Sequence, residues 1–122
     1  MTPRATTAQL LLTVSEPTRL RILNCLAAAP LFVSDLQAVL KLPQPTVSRH
    51  LKVLREAEVV RDTPVAQYVL YRLRRGGDAQ GRLLGAILDG LAHEEGFRLE
   101  RQRATERSRN HPRLRVLEPV HE

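Results

Sequence analysis

Residues 42–60 read LPQPTVSRHLKVLREAEVV, and the two faces of this stretch decide the fold. Pro45 suits the first helical positions, where its fixed φ helps and its missing N–H costs nothing. At about 100° per residue, Val47, Leu51 and Leu54 fall within one narrow arc, the spacing of a core-facing stripe. The opposite arc holds Arg49, Lys52 and Glu56. Thr46 and Val53 lie on one flank, Ser48 and Arg55 on the other, and His50 near the border of the stripe. Groups able to reach a base edge or a phosphate thus gather in the first two turns. A merely solvated helix is also polar outside, so the neighbouring elements must decide between the two.

Upstream, VSDLQAVL (33–40) carries Ser34 with Gln37 three residues later, the form of a capping box, and buries Leu36, Val39 and Leu40. KLPQ (41–44) is a short connection. Two short helices joined by a tight turn, the second basic at its start, have the form of a helix-turn-helix. Before them, residues 5–13 predict a short helix whose Leu10–Leu12 run is too apolar to stay exposed. In SEPTRLRILNCLAAAP (15–30), Ser15 is a candidate cap, Pro17 lies in the first turn, and Leu20, Ile22, Leu23, Leu26 and Ala27 form the apolar face until Pro30 ends the helix. Downstream, VVRD leads through TPVA (63–66) into QYVLYRLRR, where Tyr68, Leu70 and Arg72 alternate with Val69, Tyr71 and Leu73. That is strand periodicity, and the pair predicts a hairpin placed as a wing.

A chain of 122 residues suits one domain with a modest core. Aromatic residues make up only 3% and Trp is absent, so Leu, Val and Ala must fill that core. The net charge of +6 sits entirely in residues 1–75, which hold 11 basic and 5 acidic side chains, and 17 of the chain's 19 basic residues are Arg. Such an excess on a compact domain favours polyanionic partners. The opening MTPRATTAQLLLTV has too short an apolar run for a signal peptide, and no segment approaches the roughly 20 apolar residues of a membrane span. The single cysteine, Cys25, excludes an internal disulfide framework and fits a reducing compartment. These features predict a cytoplasmic protein that does not engage a membrane.

Residues 78–103 return to helical spacing, with Leu83, Ile87 and Leu91 in one row and Leu84 and Leu88 beside it. A stripe outside a domain already complete needs a cover. The expected cover is the same helix of a second copy, joined by the Leu10–Leu12 run, in preference to folding back on its own domain. The expected organisation is one DNA-binding and dimerisation domain over residues 1–103 and a basic, flexible tail over 104–122.

The order of elements, with SEPTRLRILNCL (15–26), VSDLQAVLKLPQPTVSRHLKVLREAEVV (33–60) and YVLYRL (68–73), resembles the ArsR/SmtB family of bacterial winged-helix repressors. The likeness covers about residues 8–100, and VSRHLKVLREA is its most specific part. The resemblance implies a mainly α winged helix-turn-helix with a small β-hairpin wing, dimerising through its N- and C-terminal helices. It also implies a homodimer that binds a palindromic operator in double-stranded DNA and leaves it on meeting an effector. The family's recognition positions fall on Gln44, Thr46, Ser48, Arg49 and His50. Arg49 is suited to a bidentate contact with guanine or to a phosphate, and Gln44 either reads adenine or caps the helix. His50 contacts DNA or packs at the helix edge. Lys52, Arg55 and Arg61 are expected on phosphates. Two departures stand out: TPVA lacks the Gly and basic residues common at the family's wing tip, and Glu58 stands where Gly usually ends the recognition helix, so that turn is expected to differ.

Family members that sense thiophilic ions carry cysteines at the start of the third helix, where this chain has Phe32, Ser34 and Gln37. One thiol cannot make such a site or a two-cysteine switch within a chain. The weak zinc candidates are Asp89 and His93, four apart on the C-terminal helix, with Glu94 and Glu95 adjacent and His111 and His121 in the tail. No cofactor is assigned; a small-molecule effector, or none, fits the residues equally. A Gly-rich phosphate loop and a nucleophile motif are both absent, so an enzyme is not expected. The rival reading is a winged-helix module that binds a protein partner without specific DNA binding. Exposed apolar groups on the recognition face would favour it, and only Val53 does so.

Overall fold

The computed structural model describes residues 5–110. Helix α1 (Thr7–Val14) starts at Thr6, whose Oγ1 accepts from the Gln9 N–H while the Gln9 side chain accepts from the Thr6 N–H. Ser15 closes this helix and does not open the next: its N–H donates to the Leu11 carbonyl and its Oγ to that of Leu12. The cap of α2 (Pro17–Ala28) is Glu16, whose carboxylate accepts from the Arg19 N–H at 2.9 Å, because Pro17 already occupies the first helical position. Ala29 is extended, as the residue before a proline must tend to be, and the helix ends there.

Strand β1 (Leu31–Phe32) leads directly into α3 (Val33–Leu40). This helix starts two residues earlier than the Ser34 reading requires, with Phe32 at the cap position. Asp35 therefore sits in its third position and accepts from the Phe32 N–H at 2.8 Å, displacing the expected Ser34–Gln37 box. Lys41 turns the chain in the left-handed region (φ 57°), and Leu42 N–H reaches back to the Gln37 carbonyl. Helix α4 (Gln44–Glu56) follows with Pro45 in its first turn. Val47, Leu51 and Leu54 are fully buried, and each contributes roughly 1.5–3 kcal/mol of transfer free energy.

Helix α4 ends in a Schellman arrangement. Glu58 N–H donates to the Arg55 carbonyl and Val59 N–H to that of Leu54, while buried Val59 and Leu54 provide the usual apolar partners. Glu58 holds φ at 62°. The turn expected to change on losing its glycine has kept the left-handed conformation and placed a carboxylate residue in it.

Strands β2 (Val60–Val65) and β3 (Tyr68–Leu73) form the wing, and β1 adds to the far side of β3 in the order β1-β3-β2. The registers Leu31↔Tyr71 and Phe32↔Leu70 tie the wing to the core. TPVA is not the tip: Thr63, Pro64 and Val65 lie in β2, and the turn is Ala66–Gln67 with Ala66 at φ 54°. Positive φ at the first of two turn positions matches the twist of a tight hairpin.

The C-terminal region is two helices, α5 (Ala79–Leu91) and α6 (Glu95–Asn110), not one helix over 78–103. Helix α6 folds back along α2 and α3. Asn24 and Asp35, both fully buried, meet it: Asn24 donates to the Phe97 carbonyl and accepts from Arg101 Nε, and Arg107 Nε donates to Asp35 Oδ1 at 2.8 Å. Arg21 adds an ion pair to Glu100 at 2.6 Å. Ala104 is fully buried, so the boundary expected at residue 103 falls inside a packed helix. The remainder of the expected tail, with His111, Leu114, Val116, Leu117 and His121, lies outside the described residues.

Helix α5 buries Leu84 and Leu88 and leaves Leu83, Ile87 and Leu91 half-buried. Of the Leu10–Leu12 run only Leu10 is buried, and Leu12 is 74% exposed. Leu20 is half-exposed, outside the core formed around Ile22, Leu23 and Leu26. Among the described residues no helix is long and apolar enough to cross a membrane.

Candidate nucleic-acid interface

The apolar stripe of α4 fixes which of its groups face outward. Gln44, Arg49, Lys52 and Arg55 are exposed, and Thr46 and Ser48 are half-buried at the edges of the same face. Gln44 Nε2 donates to Ser48 Oγ at 2.7 Å, so the first polar pair of the helix is joined across one turn. Gln44 keeps its amide oxygen free of that bond, as adenine readout or a backbone contact requires. Arg49 and Lys52 extend from the middle of the face. A guanidinium there can form a fork to the acceptors of guanine or to phosphate oxygens, while an ammonium acts as a point charge.

His50 takes the other side. It is 9% exposed, and its Nδ1 accepts from Arg19 Nε at 3.3 Å, with Glu16 Oε2 3.7 Å away. Arg19 also donates to the Thr13 carbonyl. Of the two readings left open for His50, packing is the one this position fits, since the ring fastens α4 to the α1–α2 corner. Burial works against the Glu16 charge, but the N–H groups of Arg19 and Thr18 and the nearby His50 and Arg19 outweigh it and hold the carboxyl below its usual range.

The wing continues the basic surface. Arg55 pairs with Asp62 at 3.1 Å, which links the end of α4 to β2 and partly neutralises Arg55. Tyr71, across from Asp62, has its hydroxyl pushed up by burial and by that carboxylate, with Arg55 opposing. Arg61 lies directly opposite Arg72, and both are exposed. Like charges facing each other across two strands cost about 0.2–1 kcal/mol unless an anion lies between them. Arg72 was not among the expected contacts. Placing the turn at Ala66–Gln67 would have revealed it, since that register sets 61 against 72.

The zinc candidates do not lie on one helix as expected. Asp89 is near the end of α5, whereas His93 lies in the turn between α5 and α6, so the two do not share a helix face. Among the described residues there is no group of three His, Cys, Asp or Glu side chains placed to hold a metal ion. Cys25 is fully buried, and burial pushes its thiol up to about 12. It is a core residue, not a nucleophile.

Residues 16–62, from the cap of α2 into the first strand of the wing, match the model of the bacterial regulatory proteins of the arsR family. Over 88 residues the chain is 40% identical to the biofilm growth-associated repressor of Agrobacterium fabrum, covering 71% of this chain and 74% of that protein. The chain belongs to the ArsR family. It is also 38% identical over 85 residues to the HTH-type transcriptional repressor SmtB of Mycobacterium tuberculosis, covering 70% of this chain and 59% of that one. The crystal structure of the transcriptional repressor BigR from Xylella fastidiosa superposes with a TM-score of 0.63 at 31% identity, over 72% of this chain and 85% of that chain. ArsR-family membership places the chain among winged-helix transcriptional regulators and not among enzymes.

Proposed function

We propose that this ArsR-family chain is a homodimeric repressor that presents α4 to the major groove of a palindromic operator and is released by an effector. The observation that carries the reading is the division of α4 into two faces. Val47, Leu51 and Leu54 are fully buried, while Arg49 and Lys52 stand exposed with Gln44, Thr46 and Ser48 beside them. In this reading Arg49 reads base edges, Gln44, Thr46 and Ser48 set the register, and Lys52, Arg55 and the Arg61–Arg72 pair hold phosphates. A protein-docking face would expose apolar groups here, and only half-buried Val53 does so.

The dimer is supported by what one copy leaves uncovered: Leu11 and Leu12 on α1 and the Leu83, Ile87 and Leu91 row on α5. A two-fold contact through both helices places two α4 helices in successive major grooves. The test is fluorescence anisotropy with a duplex from the gene's own upstream region beside a scrambled duplex, at two salt concentrations. Binding that prefers the upstream duplex at the higher salt supports the repressor. Weak binding that vanishes equally on both duplexes leaves charge attraction alone and rejects it.

A further inference from the structure

Behind α5, on the side away from the Leu83–Ile87–Leu91 row, lies a half-open cleft of about 290 Å³. Its walls come from the end of β3, from α5 and from α6. We infer that this cleft is a binding site for a small organic monoanion with an apolar body. The regulatory part of the inference rests on the repressor reading; the occupancy does not.

Three features point to that class of ligand. Buried Leu84 and Leu88 and half-buried Leu73 give the lining an apolar part beside its charged groups, and the volume is near the lower end of small-molecule pockets, about 300–1,000 Å³. The charges on the walls are unequal. Arg74 is committed to Glu58 at 3.1 Å, but Arg75 and Arg101 have no carboxylate within ion-pairing distance among the described residues. Arg101 is held in place by the neutral groups Asn24 Oδ1 and the Leu88 carbonyl, at 2.7 and 2.6 Å, and Arg75 has one long bond, 3.3 Å, to the Ala27 carbonyl. Asp89 on the rim offsets one of these two charges, so one negative charge completes the balance and two exceed it.

The third feature is Gly85. It sits in the interior of α5, where glycine is less favourable than alanine. Among the described residues nothing within 4 Å would meet a Cβ at this position, so no close packing there requires it. A glycine there keeps the cleft open. A ligand seated against it would touch the strand that carries Arg72 and the helix that carries the Leu83–Ile87–Leu91 row, and so would bear on wing and dimer together. It shifts DNA affinity only if the two states hold the cleft differently.

The test uses the full chain, with benzoate as probe and benzamide and sulfate as controls, followed by amide NMR. The expected result is saturable benzoate binding with shifts centred on Gly76, Gly81, Gly85 and Leu88, at least tenfold weaker binding of benzamide, and no matching response to sulfate. Arg75→Ala should weaken benzoate at least tenfold. Gly85→Leu should abolish it without lowering the melting temperature and with the sedimentation coefficient as it was. Equal binding of benzoate and benzamide, or of benzoate and sulfate, would overturn the proposal. So would retained benzoate binding in Gly85→Leu, or a changed sedimentation coefficient, which would assign the glycine to a contact between copies. Anisotropy on the upstream duplex then reads the regulatory half. A benzoate-dependent change in affinity that Arg75→Ala removes supports it, and saturable binding with unchanged affinity refutes it. A protein that never bound the duplex would instead count against the repressor reading.

Discussion

Replacing Glu58 by glycine should stabilise the protein relative to Glu58→Ala, and the size follows from the turn that ends α4. Glu58 holds φ at 62°, a conformation that costs a side-chain-bearing residue about 1–2 kcal/mol. Glycine removes that cost but enlarges the conformational freedom of the unfolded chain, which returns about 0.4–1 kcal/mol. Both variants lose the ion pair to Arg74, whose side chains are 63% and 38% exposed. Solvent screening puts that pair at the low end of ~0–1 kcal/mol, and it cancels between the two variants. The difference is then about 0.5–1 kcal/mol in favour of glycine, roughly 2–6 °C in melting temperature for a chain of this size. Thermal unfolding followed by circular dichroism at one fixed protein concentration measures it, since association would otherwise move the midpoint. A Glu58→Gly variant that melts below Glu58→Ala would mean that residue 58 does not hold the left-handed conformation in solution. The Schellman account of how α4 is joined to the wing would then fail.

Arg49→Ala should weaken binding to the upstream duplex by ~1–3 kcal/mol and relax its sequence preference, while Lys52→Ala should weaken all duplexes alike. Equal losses on cognate and scrambled duplex for both variants, measured by anisotropy, would remove Arg49 from base reading. Arg107→Ala should destabilise the fold by about 1–3 kcal/mol, because the fully buried Asp35 carboxylate loses a charge-assisted bond. Urea unfolding checks this, and a chain ending at residue 103 should lose at least as much; unchanged stability in both would return α6 beyond residue 103 to the status of a tail. Cys25, with its thiol pushed up to about 12, should resist an aromatic disulfide reagent in the native protein at pH 8 and react at once in denaturant. The folded state retains this proton where the unfolded chain has released it, so its contribution to stability falls as pH rises above the unfolded thiol's value, about 8.5. Rapid native labelling at pH 8 would contradict its burial.

What periodicity could reach was the part of the fold built on local apolar spacing. Val47, Leu51 and Leu54 are buried as their arc requires, and the alternation from Tyr68 to Leu73 is a strand. The wing tip escaped because Ala66 takes a positive φ that usually announces itself as glycine or asparagine. The break between α5 and α6 escaped for a different reason. No proline marks it, and the contacts that reward it are distant: Arg101 donates to the Leu88 carbonyl near the end of α5, and Asn24 and Asp35 meet α6 from more than 70 residues away in sequence. Helix α6 has one buried residue, Ala104, so an apolar pattern had little to report. The candidate site was legible where it consisted of exposed polar residues on α4. His50 stood at the border of the stripe, and only its partner Arg19, on another helix, settles which way the ring turns.

These two ways of fastening a helix bear on how DNA binding is measured. Helix α4 is held by fully buried aliphatic side chains, whose burial is strengthened slightly, if at all, by added simple salt. Helix α6 is held largely by charged and polar partners. The Arg21–Glu100 and Arg107–Asp35 pairs each have one member 12% exposed or less, which shields them from ions far better than an open surface pair. The charges proposed to meet DNA, Arg49, Lys52 and Arg61, are exposed and meet the full screening of the solvent. Over moderate salt the fold should therefore hold while phosphate contacts weaken through counterion competition. A loss of duplex affinity with salt can then be assigned to the interface, provided circular dichroism is unchanged over the same range. The apolar side of α4 makes that separation possible, because it keeps the proposed reading face in place without using the charges assigned to it.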